Sequence, residues 1–474
     1  MFSGIVEAYG KVIGTLSNWM YSYILIILLV GAGIYFTVKT KGVQFRALKE
    51  AIKVVMEPKD DEKSISSFQA LMVSTASRVG TGNIAGISTA LCIGGAGAMF
   101  WMWLIALLGS ASAFIESTLA QIYKRKAADG SSYGGPAYYI QAVLKKRWLG
   151  VLFAAVLIVT YMGGFNMVAA FNISDSFRRY DFYQPGTTPL VIGLILAVIF
   201  GICIFGGSKR ISKITEVIVP VMGIFYIAVS LFIVITHLNL LPGVIVSIFK
   251  GAFDISAIFG GFAGSAVMQG VKRGLFSNEA GVGSAPNAAA SAGVSHPVKQ
   301  GLVQMLSVYI DTIVICSATG FMLLCSGVVP EEGIAGMPYV QEAVAGSLGS
   351  VGSVFITVAL FLFAFTTLIG NFYYAEMGLR YICDKTPKKL IMNIFRIAAA
   401  LIVCMGATMD FSVVWDTADV LMGLMALINL PVIVLLAKPA LRCMQDYFKQ
   451  KKSGKNPVFK AKDINLETKT DFWN

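Results

Sequence analysis

Charge is scarce in this chain: Asp, Glu, Lys and Arg make up 14% of its 474 residues. A soluble domain carries about 25%, because its surface must face water. With 56% hydrophobic residues and a mean hydropathy of +0.72, most of the surface must face lipid or other protein. Histidine is almost missing. The two present, His237 and His296, fall in predicted loops, which leaves no imidazole inside a span to serve as base or proton relay. No HExxH or GxSxG run occurs, so the chain reads as something other than an enzyme. Its seven cysteines are scattered without a CxxC pair, which argues against a metal site or disulfide framework and leaves them as small apolar fillers. Residues 1–20 lack the long apolar core of a cleavable signal. Like 448–474, they read as interfacial or disordered.

Long apolar runs are what the chain has in quantity. They lie near 21–37, 68–95, 98–122, 149–172, 188–206, 213–236, 255–292, 300–325, 349–375, 391–409 and 417–437. About 20 apolar residues cross a bilayer, and lipid forces such segments to be helical. The predicted fold is an all-α integral membrane protein with about 11 transmembrane helices. Its net charge of +12 is then a matter of topology, not a nucleic-acid footprint. One side of the membrane receives Lys39–Lys63, Lys124–Arg147, Lys209–Lys213, Lys299, Arg380–Lys389 and the tail from Lys438, about 30 of the 38 basic residues. The other keeps Lys11, Arg178, Arg179 and Lys250, with Glu331, Glu332 and Glu342. The positive-inside rule places the C-terminus in the cytoplasm and the N-terminus outside.

Two spans are too long and too rich in glycine and polar residues: Ser74–Gly86, and Gly270–Pro286. With the first span set aside, ten remain, and each half of five opens with one of these broken helices. Matched interruptions in corresponding positions point to the binding site of an inverted-repeat transporter. The predicted organisation is a lead, first helix and loop over 1–64, repeats over 65–252 and 253–437, and a basic tail over 438–474. A broken helix frees N–H and C=O groups that a ligand can satisfy. The half-helix after Gly82 offers amides and a positive dipole end to a carboxylate, and carbonyls before it suit a cation. A zwitterionic amino acid with Na+ meets both needs.

Plainer readings stand beside these. Gly80-Thr-Gly-Asn-Ile-Ala85 matches a loose dinucleotide fingerprint, but that motif needs a preceding strand and both flanks here are membrane helix. Gly82 and Gly86 also fit close helix packing. Arg78, Lys272, Arg273 and Glu279 are ionisable residues inside spans, hence functional candidates. Their structural alternative is an ion pair, Arg78 or Arg273 with Glu279 or Glu116. Glu116 and Glu376 lie near helix ends and are expected to be solvated there. Phe372–Tyr374 and Tyr138–Tyr139 read as packing. Thr366 and Thr367 either bond back to their own helix or complete an oxygen shell for a cation.

The stretches Val79–Gly86 with Gly94–Trp103, Ser208–Ile211, Arg273–Ser284, Phe363–Gly370, and Trp415–Asp419 with Asn429-Leu430 resemble the alanine or glycine:cation symporter family. The likeness covers about 65–435. It implies the leucine-transporter fold, an inverted 5+5 repeat with one extra N-terminal helix, and import of small neutral amino acids with Na+ by alternating access. Carried over by position, the resemblance assigns Na+ to Ala76, Val79, Phe363, Thr366 and Thr367. The substrate carboxylate goes to Thr81, Gly82 and Asn83, and the amine to Phe276, Ser277 and Asn278. Ala169 stands where alanine carriers of this family show Gln, so a larger neutral substrate such as glutamine fits as well as alanine, glycine or serine. The charge of Arg78 disfavours a second Na+, giving one per cycle. Na+ is co-transported, and no organic cofactor, nucleic acid or obligatory protein partner is expected beyond the lipid bilayer of a bacterial inner membrane. A proton-coupled carrier and a non-transporting amino-acid sensor are the alternatives.

Overall fold

The computed structural model describes residues 2–60, 63–254, 265–384 and 387–473. The start of the predicted 255–292 stretch, residues 255–264, lies outside them, as do Asp61, Glu62, Lys385 and Thr386 in predicted loops. Apart from a hairpin of two short strands, the regular structure is helical.

In chain order, α1 (Val6–Lys39) is long enough to cross a membrane and is followed by the short amphipathic α2 (Leu48–Val55). The first broken span is α3 (Ser67–Arg78) and α4 (Gly82–Gly94). Then come α5 (Ala98–Ile122), the hairpin β1–β2 (Arg125–Lys126 and Ser132–Tyr133), α6 (Pro136–Leu144) and α7 (Arg147–Asp175). Next are α8 (Thr188–Ile204), α9 (Ser208–Thr236) and α10 (Leu241–Ala252). The second broken span supplies α11 (Ala266–Asn278) and α12 (Ala285–Ala290). Finally α13 (Pro297–Leu324), α14 (Met337–Leu348), α15 (Ser350–Ile382), α16 (Lys389–Gly406) and α17 (Phe411–Leu435) lead to α18 (Ala437–Lys452). Among the described residues eight helices are long and apolar enough to span, making this a multi-pass membrane protein. α10 and α14 lie where loops were predicted, because their short apolar runs fall below spanning length.

The bundle exposes apolar side chains on its outside and buries a set of polar and charged ones among its apolar core. Val217, Val221, Ile224 and Phe225 on α9 are exposed, and so are Ile394, Ile397 and Leu401 on α16. Arg78, Asn83, Glu116, Glu279, Asp311 and Asp419 are buried. Lipid gives no gain for hiding a leucine, so contacts rely on close fit and hydrogen bonds. α5 packs along α11 and α13 at the centre. On α15, a methyl at Gly370 would lie 2.8 Å from the Ser77 amide nitrogen of α3, so only glycine lets these helices touch.

The predicted basic segments gather at the end of the bundle that carries the C-terminus. Arg147 pairs with Asp384 at 2.9 Å, Lys299 with Glu57 at 2.6 Å and Arg125 with Asp471 at 3.2 Å. Expected to be interfacial or disordered, 448–474 instead folds as far as it is described, to Trp473. α18 runs to Lys452 and the chain then crosses this face. Phe459 N–H donates to the Ser295 carbonyl at 2.9 Å, and the buried Trp473 indole donates to the Gln121 carbonyl at 2.8 Å. Lys124 stands 4.7 Å from the Phe472 and Trp473 rings. Three apolar anchors, Phe459, Ile464 and Trp473, hold a segment whose polar composition suggested none. The N-terminal residues likewise form helix rather than a disordered lead.

Candidate functional site

The two breaks meet inside the bundle. α3 ends at Arg78, Val79 is extended (φ −75°, ψ 90°), and the chain re-enters helix through a wide turn at Gly82–Gly86. Asn83 closes this gap, its Oδ1 accepting from the Gly80 N–H at 2.8 Å. Space explains the glycines. A methyl on Gly80 would overlap the Thr367 hydroxyl, and one on Gly82 would stand 2.9 Å from the Phe276 ring.

The second break is sharper. After α11, Glu279 adopts a left-handed φ of 51°, and Gly281 and Gly283 follow at 84° and 94°. Such a backbone crowds a glutamate's Cβ, yet polar contacts hold it. Its Oε2 accepts from the Ser284 hydroxyl at 2.6 Å, and Oε1 lies 3.5 Å from the Ser77 hydroxyl. Gly281 N–H donates to Glu116 Oε1 at 3.2 Å. Asn429 donates to the Gly281 carbonyl at 2.9 Å and to Glu116 Oε2 at 2.8 Å. Side chains of the protein thus satisfy backbone groups that this break frees. Glu116 and Glu376 are buried, contrary to expectation; Gly281 and Asn429 close over Glu116.

The five proposed cation residues are all buried, and four of them share direct contacts. Thr367 Oγ1 lies 3.1 Å from the Ala76 carbonyl and 3.0 Å from the Phe363 carbonyl. Thr366 bonds back to Phe363 at 2.9 Å and Leu362 at 3.0 Å. Back-bonding therefore holds for both threonines, and Thr367 alone also bridges α15 to α3. Val79 is one residue before Gly80, which packs on Thr367.

Of the proposed substrate residues, Gly82, Asn83, Phe276 and Ser277 meet, and Thr81 is buried next to Gly82 in the chain. Gly82 faces Phe276, and Asn83 Nδ2 is 3.3 Å from Ser277 Oγ. Asn278 is engaged elsewhere, its Oδ1 capping the Ala280 amide at 3.0 Å. Ala169 is buried one turn beyond Phe165 on the same side of α7, and Phe165 stacks on Phe276 at 4.6 Å.

Ion pairing differs from expectation. Arg273 reaches Asp419 at 2.6 Å rather than Glu279 or Glu116, and Lys272 shares the same carboxylate at 3.0 Å. The Arg273 guanidinium lies 4.5 Å from the Trp415 ring, which packs on Phe276 at 4.8 Å. No Arg78 ion pair forms among the described residues; its Nη1 donates to the Gln304 carbonyl at 3.4 Å. Above Trp415, towards the N-terminal end, Phe411 and Phe171 line a cavity of about 1100 Å³ that also includes Lys11, Asp175 and Arg178. The aromatic pairs Phe165–Phe276 and Phe276–Trp415 lie beneath it.

Sequence reasoning missed Asp311, hidden in the apolar stretch 300–325. Its carboxylate meets Ser277 at 2.5 Å and Asn83 at 2.7 Å. An acid inside a span was the available signal.

Eight membrane-length helices packed with two broken ones, where buried polar residues converge, make a multi-pass membrane protein with a polar centre. Residues 6–461 match the sodium:alanine symporter family, and the chain belongs to that family. It is 46% identical to the probable sodium/glutamine symporter GlnT of Bacillus subtilis, over 96% of this chain and 93% of that one. The putative sodium/proton-dependent alanine carrier protein YrbD of the same organism is 43% identical, covering 97% of each. The fold is similar to a mutant manganese transporter from Eremococcus coleocola solved by crystallography. The TM-score is 0.52 with 13% identity, covering 88% of this chain and 84% of that one.

Proposed function

We propose that the chain is a sodium-coupled symporter that imports small neutral amino acids across the bacterial inner membrane by alternating access. The observation that carries this reading is the shared centre of the two broken helices. There the Thr367 hydroxyl meets the Ala76 carbonyl while Asn83 and Gly82 meet Ser277 and Phe276. The first contact collects oxygens for a hard monovalent cation, and the second places polar groups for a zwitterion. Residues 65–252 and 253–437 serve as inverted five-helix repeats within eleven spans, α1 is the extra helix, and the basic face is cytoplasmic. Alanine, glycine, serine and glutamine are the candidate cargoes. Ala169, one turn from the Phe165 that stacks on Phe276, carries a smaller side chain than Gln and so favours glutamine, and a relative named a probable sodium/glutamine symporter supports the same choice.

Proteoliposome uptake of labelled alanine, glycine, serine and glutamine under an inward Na+ gradient tests the reading. Expected are Na+-dependent uptake and its loss in the double variant Thr366→Ala/Thr367→Ala. Binding without uptake under either Na+ or H+ gradients would replace the carrier with a sensor. Proton coupling has one structural observation in its favour, the buried carboxylates Glu116, Glu279 and Asp311. Uptake driven by a pH gradient without Na+ would establish it.

A further inference from the structure

The chain leaves α1 at Lys39 and turns through Lys41 and Gly42, both left-handed, into the single turn Val43–Arg46 and then α2. Two contacts fix the depth of α2. The Tyr309 hydroxyl donates to the Gln44 carbonyl at 2.9 Å, inside the span of α13. Glu57 pairs at 2.6 Å with Lys299, in the first turn of α13. Between these two levels α2 passes from the hydrocarbon boundary towards water. Its inner side, Ala51, Val54 and Val55, is buried, and the helix packs on α13. Its outer side is bare. Phe45 is 60%, Ile52 53% and Met56 79% exposed, and Lys41, Lys49 and Lys53 are exposed among them. Lys49, Ile52, Lys53 and Met56 recur at three and four residues, so they form one stripe. The acids of this segment turn the other way. Glu50 accepts from the Tyr447 hydroxyl at 2.7 Å and pairs with Lys451 at 2.6 Å, both on α18. Lys41, Lys49 and Lys53 form no ion pair among the described residues.

We infer that the outer face of α2 docks on anionic phospholipid in the leaflet where α1 ends. Phe45, Ile52 and Met56 enter the acyl boundary, as the apolar side of an interfacial helix does. The lysine stems lie along that apolar surface while their ammonium groups reach up to the phosphodiester oxygens. A zwitterionic headgroup brings its own ammonium and leaves the three lysines without counter-charge. An anionic headgroup supplies it, and Glu50 and Glu57, held inward, do not compete. The inference needs only that α1 and α13 span the membrane, so it stands apart from any cargo.

The test offers the full detergent-purified chain equal amounts of dioleoylphosphatidylglycerol and dioleoylphosphatidylcholine, read by native mass spectrometry. The wild type is expected to retain phosphatidylglycerol first. In Lys41→Gln/Lys49→Gln/Lys53→Gln, the glycerol-to-choline ratio of the first bound lipid should fall about tenfold or more. Lys49→Gln/Lys53→Gln, which spares the left-handed Lys41, should fall by a smaller factor and guards against a misfolded triple variant. Lys460→Gln/Lys462→Gln/Lys469→Gln removes as much charge from exposed positions of the C-terminal segment and should stay within about twofold of wild type. Phe45→Ser/Ile52→Ser/Met56→Ser should weaken retention of both lipids and leave their ratio unchanged. Equal falls in the two lysine triple variants reduce the effect to net charge and overturn the docking face. An unchanged ratio in every variant overturns it as well. A two-copy mass without lipid, converted to single copies by F45S/I52S/M56S, also overturns it and makes this face a contact between copies of the chain.

Discussion

At residue 80 a hydrogen is all that the space allows. Gly80→Ala drives a methyl into the Thr367 hydroxyl and separates it from the Ala76 carbonyl. Overpacking of this kind costs about 1–3 kcal/mol. The expected outcome is a fall in Na+-dependent uptake of about tenfold or more. Gly163 makes the control, because a methyl there meets nothing within 4 Å. Uptake and melting temperature of Gly163→Ala should match or slightly exceed wild type; an equal loss in both variants would refute the steric argument. The glycines at the first break were legible because a polar, glycine-rich run cannot persist as an ordinary membrane helix. Asp311 was not, because hydropathy over a window averages away one acid among aliphatic neighbours. The Arg273–Asp419 pair was not legible either, since its partners lie 146 residues apart and only the packing of α11 on α17 brings them together.

Among the elements, α18 is tied to the bundle by a pair with a defined proton. Val298 N–H donates to His296 Nδ1 at 3.2 Å, so the ring proton is on Nε2, which faces Asp446 Oδ2 at 3.2 Å. Burial pushes the His296 imidazole below its ordinary 6.5, and the hydrogen bond from His296 holds the Asp446 carboxyl below the usual carboxylate range. Both folded values are depressed, so each group's contribution is present above its unfolded pKa and is lost as pH falls. Docking of α18 should therefore loosen as pH drops below 6.5, His296 first and Asp446 only in stronger acid. Amide exchange over 437–459, corrected for its intrinsic pH dependence, checks this at about pH 7.5 and about pH 5.5. Faster exchange at the lower pH is expected, and unchanged protection would refute the pairing argument. Periodicity revealed the long helices, whose apolar length leaves few alternatives. It missed the docked tail, because Phe459, Ile464 and Trp473 follow no helical or strand spacing.

For the whole molecule, the sorting of basic residues is the feature that was legible before any contact was known. It makes orientation testable with a thiol reagent that does not cross membranes, against a background of seven native cysteines that are all at least partly buried. Ser412→Cys, exposed in the cavity beside the N-terminus, should label in intact cells. Lys145→Cys, exposed on the opposite face, should label only after permeabilisation. The reversed pattern would invert the assigned topology.

The chain's own end offers an optical gauge of that opposite face. Of six tryptophans, Trp473 is the one seated where the C-terminal segment closes over Gln121, and it is only 6% exposed. Lifting that segment would bring its indole into water and shift its emission to the red, while the already exposed Trp148 kept its colour. Transport-linked movement on this side could then be followed by intrinsic fluorescence, with no dye attached.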